Sequence, residues 1–461
     1  MLNIVGIGAG YVGGPTMAVI ADFNPQHRVT VTDINEKKID QWNSDQLPIF
    51  EPGLDELIRR VRGRNLFFSA DIPGAVRKAD IVFVSVNTPT KTYGKGAGFA
   101  ADLQYWEKTA RTIKEHAKGP IIVVEKSTVP VRTAEAMERI LNDDQSKICF
   151  DVLSCPEFLA EGTAISDLKE PERVMIGGHQ ETVSGKAAMR TVADLFTAWV
   201  PEHKIIFSNV WSAELSKLAS NAFLAQRVSS INAVSVICEK TEADITEVCR
   251  AVGLDRRIGP KFLNPSVGFG GSCFKKDLLN LVYLCRHYGL QEVADYWQWV
   301  VTLNDYQMNR FADRIIKELF NTVSGKKIVL LGVAFKANTG DTRESPGLYV
   351  AKRLLAEKAD LVISDPKALD NAREELKGFP VSYVRDPYEA VKGAHALAVI
   401  TEWDEYRHLD YRLIFQSMIK PAFIFDGRNI LDHEALFEIG FHVFPIGKRS
   451  LSNFPSSNGH V

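Results

Sequence analysis

The sequence predicts an α/β protein of two doubly wound, Rossmann-like domains joined by a long central helical connector. Three observations carry this: a glycine fingerprint between a strand and a helix at the start of the chain, helix formers with apolar spacing through the middle, and buried-strand runs after Gly325 that repeat the order of the first set. The boundaries implied are 1–207, 208–322 and 323–461.

Leu2 to Ile7 reads as a strand, Gly8, Ala9, Gly10, Tyr11, Val12 and Gly13 as the fingerprint turn, and Met17, Val19 and Ile20 as part of an apolar helix. A second strand, Arg28 to Thr32, ends at Asp33. Strand, turn, helix and acid in that order suit a dinucleotide: the glycines let a pyrophosphate rest on the helix N-terminus, and the acid accepts from ribose hydroxyls. A carboxylate at Asp33 repels a 2′-phosphate, so the expected cofactor is NAD rather than NADP. The bland alternative, a tight turn with a solvated aspartate, is the lesser reading in this combined context.

Two further apolar runs, Asp80 to Val86 and Ile121 to Glu125, suit parallel strands buried on both faces. Their sequels, Asn87, Thr88, Pro89 and Thr90 in one case and Lys126, Ser127, Thr128 and Val129 in the other, fall on the ligand side of such a sheet. Ser127 and Thr128 read equally well as N-caps of a helix from Val131 to Asn142. After Gly325, strands are expected at 327–333, 361–365, 395–401 and 422–428, without a full glycine fingerprint, so a different nucleotide suits this sheet. Between the sheets, helix is expected from Ser208 to about Val252 and from Leu278 to about Thr322. Lys217 and Asn221 are four apart and share a helix face, and Glu157 and Glu161 repeat the step. Such pairs are usually solvated, but Leu218, Ala219, Ala222 and Phe223 crowd Lys217.

The 461 residues are 45% hydrophobic and 24% charged, with a net charge of −2, which gives no general attraction to nucleic acid or anionic membrane; an anionic ligand must be held by local basic residues. No apolar run reaches membrane-spanning length, and the first residues read as a strand rather than a signal segment, so a soluble chain starting near Met1 is expected. Ser450 to Val461, rich in Ser, Asn, Pro and Gly, reads as a mobile tail. The six cysteines have neither Cys-x-x-Cys nor zinc-type spacing, which argues against a metal site or disulfide scaffold and fits a reducing cytoplasm. One of them stands apart. Cys273 follows the glycine-rich Val267 to Gly271 and precedes Leu278, Leu281, Val282 and Cys285 at helical spacing, so it lies near a helix N-terminus, where the dipole and Lys276 favour thiolate. Cys149, Cys155, Cys238, Cys249 and Cys285 read as small buried residues.

With these motifs assembled, the chain resembles the NAD-dependent UDP-glucose/GDP-mannose dehydrogenases from the glycine fingerprint to Arg428. The most specific matches are Val86 to Lys91, Pro156 to Gly162, Gly268 to Cys273 and Thr339 to Ser345. Thr90 to Gly94 and Ala100 to Leu103 are similar to the eukaryotic UDP-glucose branch, and less so to enzymes of GDP-mannose or UDP-N-acetylmannosamine. The resemblance implies an NAD-binding first domain, a central dimerisation domain, a UDP-sugar-binding third domain, and oxidation of a sugar C6 alcohol to a carboxylate with two NAD. It makes Cys273 the nucleophile and gives Lys217 and Asn221 a developing oxyanion and an ordered water. Glu157, Asp277 and Thr128 complete the implied catalytic set. The implied NAD site comprises Gly8 to Gly13, Asp33, Lys38, Val86 to Thr90, Ser127 to Val129, Glu161, Lys276 and Arg343. UDP-glucose is assigned to Glu157, Phe158, Leu159, Ala160, Glu161, Lys217, Asn221, Arg257, Asn264, Pro265, Ser266, Val267, Gly268, Phe269, Gly270, Phe274, Phe335, Lys336 and Arg428. Arg257 resembles a residue supplied by a neighbouring subunit, which implies a homodimer or larger oligomer. Three departures from the family pattern stand out: Cys155 where Asn is common, Lys275 where Pro or Gln is usual, and Ala337-Asn338 for a Lys-Asp-like pair. An extra cation at Lys275 is expected to favour the thiolate further. A redox-silent nucleotide-sugar-binding protein is the alternative of another class, which intact Cys273, Lys217, Asn221 and Asp277 disfavour.

Overall fold

A computed structural model describes residues 1–143 and 148–454. Tertiary contacts group them into two units, Met1–Ser220 with Leu279–Gln291, and Asn221–Leu278 with Glu292–Val461.

The first unit holds an eight-stranded sheet: β1 (Asn3–Ile7), β2 (Arg28–Thr32), β3 (Leu66–Ser69), β4 (Ile81–Val84), β5 (Ile121–Glu125), β6 (Phe150–Ser154), β7 (Val174–Gly177) and β8 (Ile205–Ser208). The order is β3-β2-β1-β4-β5-β6-β7-β8, parallel except between β6 and β7. Neighbouring side chains of a strand enter different cores, Ile4, Phe83 and Val124 on one side and Val5, Val82 and Val123 on the other. That double burial is why these strands read as continuous apolar runs. Register sets Ile7 opposite both Thr32 and Val84, Val84 opposite Glu125, and Glu125 opposite Ser154. The polar sequels of five strands therefore leave the sheet along one edge.

The second unit holds a six-stranded parallel sheet of β9 (Lys327–Leu331), β10 (Asp360–Ser364), β11 (Val381–Tyr383), β12 (Ala396–Val399), β13 (Phe423–Asp426) and β14 (His442–Pro445), ordered β11-β10-β9-β12-β13-β14. The connector expected at 208–322 is shared between the units. Its first helical run divides into Val210–Thr241 and Ile245–Leu254, because Glu242 takes a left-handed φ of 58° and the Asp244 carboxylate caps the second helix through Thr246 N–H. Its second run divides into Phe274–His287 and Gln291–Glu318 at Gly289, φ 72°. Part of the expected mobile tail is held: Leu451 pairs with Val443, Arg314 donates to Ser450 Oγ at 2.9 Å, and Phe454 stacks on His442 at 4.3 Å between centroids. The rest of that tail, 455–461, lies outside the described residues.

Candidate active site

The fingerprint turn follows β1 and starts the helix Gly13–Phe23. Gly8 has a φ of 106°, and a Cβ there would meet Ser85 O at 2.3 Å; a Cβ on Gly13 would meet Gly8 O at 1.9 Å. Glycine is required at both for the turn to close. At Gly10, by contrast, a Cβ would meet nothing within 4 Å, so the backbone is open to an approaching group. Asp33, only 8% exposed, accepts from Ala9 N–H and Asn35 N–H at 2.9 Å each and from Lys38 Nζ at 3.0 Å. It is not a solvated surface carboxylate. Trp42, which the sequence did not single out, donates to Ala9 O and packs its ring where a Cβ on Gly14 would sit. An open glycine backbone at a helix N-terminus with a fixed carboxylate beside it fits a dinucleotide.

The sequels of β4 and β5 are laced together. Ser127 Oγ donates to Val86 O at 2.7 Å and Thr88 Oγ1 donates to Thr128 O at 2.9 Å. Neither Ser127 nor Thr128 caps the next helix, which begins only at Thr133; Glu214 accepts from Arg132 and Ala134 N–H in that role. The Pro156–Gly162 motif is irregular backbone, so Glu157 and Glu161 do not share a helix face. Glu157 points inward. Its Oε2 lies 3.0 Å from Lys126 Nζ, and its Oε1 accepts from Phe158 and Leu159 N–H. Burial pushes the Glu157 carboxyl up, but the charge and hydrogen bond of Lys126, the Phe158 N–H and the charge of Lys217 outweigh it and hold the group below its usual value. Lys126, 4% exposed, also contacts Cys155 Sγ at 3.7 Å, and burial raises that thiol. Lys217 Nζ and Arg173 approach the Phe158 ring at 5.4 and 3.9 Å.

In the second unit, Cys273 is exposed and directly precedes the helix Phe274–His287, whose Asp277 N–H donates to Cys273 O. Ser272 Oγ is 3.4 Å from its Sγ. Asp277 is fully buried and bridges Asn221 Nδ2 at 2.6 Å and Lys276 Nζ at 2.7 Å. Lys276 thus pairs with Asp277. Lys275 faces Glu344, at 3.0 Å, and Asp305, at 3.9 Å, so its charge is already matched by carboxylates and the expected extra push toward thiolate does not follow.

The loop before Cys273 is shaped by side-chain amides. Asn232 Oδ1 accepts from Ser266 N–H, Asn304 accepts from Phe269 N–H and donates to Phe269 O, and Gln307 donates to Ser266 O. Asn304 and Gln307, three apart on an otherwise apolar helix face with Val300, Val301, Met308 and Phe311, were a legible signal that sequence reasoning passed over. Gly271 N–H donates to Arg343 O, and a Cβ on Gly271 would strike the Phe335 ring at 2.9 Å, which brings the loop onto the segment of Lys336 and Arg343. Arg343 pairs with Asp341 at 2.6 Å, and Arg428 donates to Ile400 O and Phe335 O. Asn264 is exposed, whereas 265–271 are buried. Arg257 lies apart, its side chain 89% exposed and paired with Asp255. Of the other cysteines, Cys155, Cys238 and Cys285 are buried as expected; Cys249 is only half-buried and Cys149 is exposed, against the expectation for both.

Comparison with known proteins matches three consecutive models of the UDP-glucose/GDP-mannose dehydrogenase family: its NAD binding domain over residues 2–200, its central domain over 211–306 and its UDP binding domain over 329–433. The chain belongs to the UDP-glucose/GDP-mannose dehydrogenase family. This dehydrogenase is 58% identical to UDP-glucose 6-dehydrogenase 5 of Oryza sativa subsp. japonica and 57% identical to UDP-glucose 6-dehydrogenase 1 of Arabidopsis thaliana, over 97% of both chains in each case. A UDP-glucose dehydrogenase structure from the hyperthermophilic archaeon Pyrobaculum islandicum superposes with a TM-score of 0.84 at 32% identity, covering 96% of this chain and 98% of that one. The expected architecture of two parallel Rossmann-like sheets and a long central helix therefore holds, and the dehydrogenase is an NAD-dependent oxidoreductase. Among its described residues, no helix is long and apolar enough to cross a membrane.

Proposed function

We propose that this dehydrogenase oxidises the C6 alcohol of UDP-glucose to the carboxylate of UDP-glucuronate through a thioester on Cys273. The observation that carries the reading is an exposed thiol at a helix start, at the end of a loop held by buried amide clamps on Ser266 and Phe269, with Asp277 tied to both Asn221 and Lys276. NAD, when bound, accepts a hydride in each of the two oxidations. After the first, the aldehyde has no C–H that departs from an alkoxide. Addition of the Cys273 thiolate to the carbonyl creates one, as a thiohemiacetal; oxidation of that adduct gives a thioester, and water adds to its carbonyl and expels the thiolate. Lys217 and Asn221 stabilise the oxyanion at the additions and hold the ordered water, and Asp277 and Glu157 handle protons, with Thr128 completing the set. Glu157, held ionised, suits acceptance of a proton rather than donation.

The dehydrogenase names carried by the plant relatives support UDP-glucose as the sugar. A panel of UDP-glucose, GDP-mannose and UDP-N-acetylmannosamine should show turnover with UDP-glucose far above the others and two NADH formed per sugar. One NADH per sugar with free aldehyde accumulating would remove the acid-forming assignment. NADP should support at least about 100-fold lower kcat/KM than NAD, because the Asp33 carboxylate meets its 2′-phosphate. Equal efficiency would remove this role of Asp33.

The same proposal places Arg257 in the site of an adjacent subunit of a homo-oligomer, because its own environment offers it only Asp255 among the described contacts. Mixed oligomers of Cys273→Ala and Arg257→Ala chains should regain activity that neither parent shows; verified hybrids without any would return Arg257 to its own subunit. A cytoplasmic location completes the proposal, in keeping with six free cysteines.

A further inference from the structure

The irregular loop that carries Glu157, Phe158 and Glu161 has neither ladder nor helix to satisfy its backbone, and carboxylates do so instead. Glu157 Oε1 accepts from Phe158 and Leu159 N–H, and Asp167 Oδ2 accepts from Ala160 N–H at 2.9 Å. Beyond them, Glu51 accepts from Gly162 N–H at 2.8 Å and from Ala164 N–H at 2.7 Å, one with each oxygen. Glu51 is 4% exposed and lies 111 positions before Gly162, so sequence spacing does not reveal the contact.

A grip by two oxygens fixes direction as well as distance, and charged acceptors make stronger bonds than neutral ones. This one falls where the chain turns. Gly162 has a φ of 84°, and the helix Ala164–Lys169 that follows receives no cap from the Thr163 side chain. Thr163 Oγ1 instead donates to Asp167 Oδ2 at 2.9 Å, which closes the turn from its other side. Glu51 is itself held in place. Its carbonyl accepts from Leu54 N–H at 3.1 Å, Gly53 takes a φ of 79°, and Leu54, Ile165 and Leu168 share one buried core with Trp42.

We propose that Glu51, assisted by Asp167, is a positioning residue that sets the shape of the sugar-binding loop. Neither needs to touch the sugar. Glu51 acts through Gly162 and Ala164, which bracket the turn that ends the run from Phe158 to Glu161. A loop loose at that end samples several shapes, and the sugar must select one, which weakens binding by the fraction that is competent. The effect therefore falls on affinity for the sugar and not on the chemical step. A carboxylate suits this task where an amide does not. Gln offers one oxygen, and its NH2 would face the second N–H, leaving a buried donor without an acceptor.

The inference rests on the proposed assignment of Phe158–Glu161 to UDP-glucose, and two measurements separate the two. The first uses no ligand. Amide exchange over 156–168 should quicken at least about tenfold in Glu51→Gln, with the fingerprint turn at 8–13 unchanged; equal exchange in parent and variant would overturn the grip, whatever the loop binds. The second is steady-state kinetics at saturating NAD. The UDP-glucose KM should rise about tenfold in Glu51→Gln with kcat within about threefold, and UDP, which has no glucose, should inhibit parent and variant within about twofold of each other. Leu66→Ala, a cavity in the buried core at edge strand β3, lowers Tm without touching the loop and should leave KM unchanged. Quickened exchange with no change in KM, or an equal change in Leu66→Ala, would overturn positioning and leave Glu51 as a helix cap. Asp167→Ala should show the same pattern at about threefold, and it carries the comparison where Glu51→Gln folds poorly. A parent that does not turn over UDP-glucose would remove the proposed function and the sugar role with it, while the exchange result still decides the grip.

Discussion

Replacing Cys273 by Ser should lower UDP-glucuronate formation by on the order of 10³-fold or more, with NAD and UDP-glucose binding retained. The hydroxyl keeps the size of the thiol but has a far higher pKa, so the carbonyl adduct forms poorly and any ester hydrolyses slowly. Binding should survive because the loop geometry depends on Asn232, Asn304 and Gln307, none of which touches the substituted atom. Steady-state NADH production, ligand titration and intact mass check the three parts. A sugar ester trapped on the introduced hydroxyl would add strong support. Near-normal acid production by the purified variant would falsify the thioester route and leave Cys273 as a packing residue.

Lys126→Met should be the most destabilising single change near the NAD segment. Glu157 would keep its two N–H donors but lose the cation 3.0 Å from its other oxygen in a buried setting. Breaking a buried pair on one side costs about 3–5 kcal/mol, because the remaining charge is uncompensated. The sign with pH follows from the Glu157 carboxyl lying below its usual value: its contribution is present above the ordinary carboxylate range and is lost as pH falls through the depressed value. The Tm gap between parent and Lys126→Met should therefore be widest near pH 7.5 and narrow toward pH 4. Glu157→Gln placed on the Lys126→Met background should recover part of the loss. A gap independent of pH, with no recovery in the double variant, would mean that Lys126 matters only as packing.

Sequence pattern located the features that are local. The fingerprint, Asp33 and Cys273 announce themselves because each is a short run in which backbone shape and chemistry coincide, and the central strands because burial on both faces leaves an unbroken apolar signature. β3, β7, β8, β11 and β14 were not anticipated: the first three are four residues each, β11 is three residues of partly polar Val381–Tyr383, and β14 is the edge strand around His442. Helix breaks at Glu242 and Gly289 were lost inside a periodicity that continues across them. In the candidate site, what escaped was partnership over distance. Lys126 lies in a quoted motif, yet nothing in that motif says that its ammonium turns to Glu157, 31 positions on. Lys275 was read as a change in affinity or loop packing or as a free cation near the thiol, and no local pattern shows that Glu344, 69 positions away, pairs with it.

The amide clamps on the loop before Cys273, the proposed nucleophile, bear on how the molecule matures. Asn232 reaches Ser266 across 34 residues, and Asn304 reaches Phe269 across 35. Closing chain segments of that length comes after local helix formation, so the loop acquires its shape only when helices from both sides have docked. A nascent or refolding chain then carries Cys273 on an unshaped loop. On the proposed role of Cys273, the loop shape that its chemistry needs is complete only once that docking has occurred.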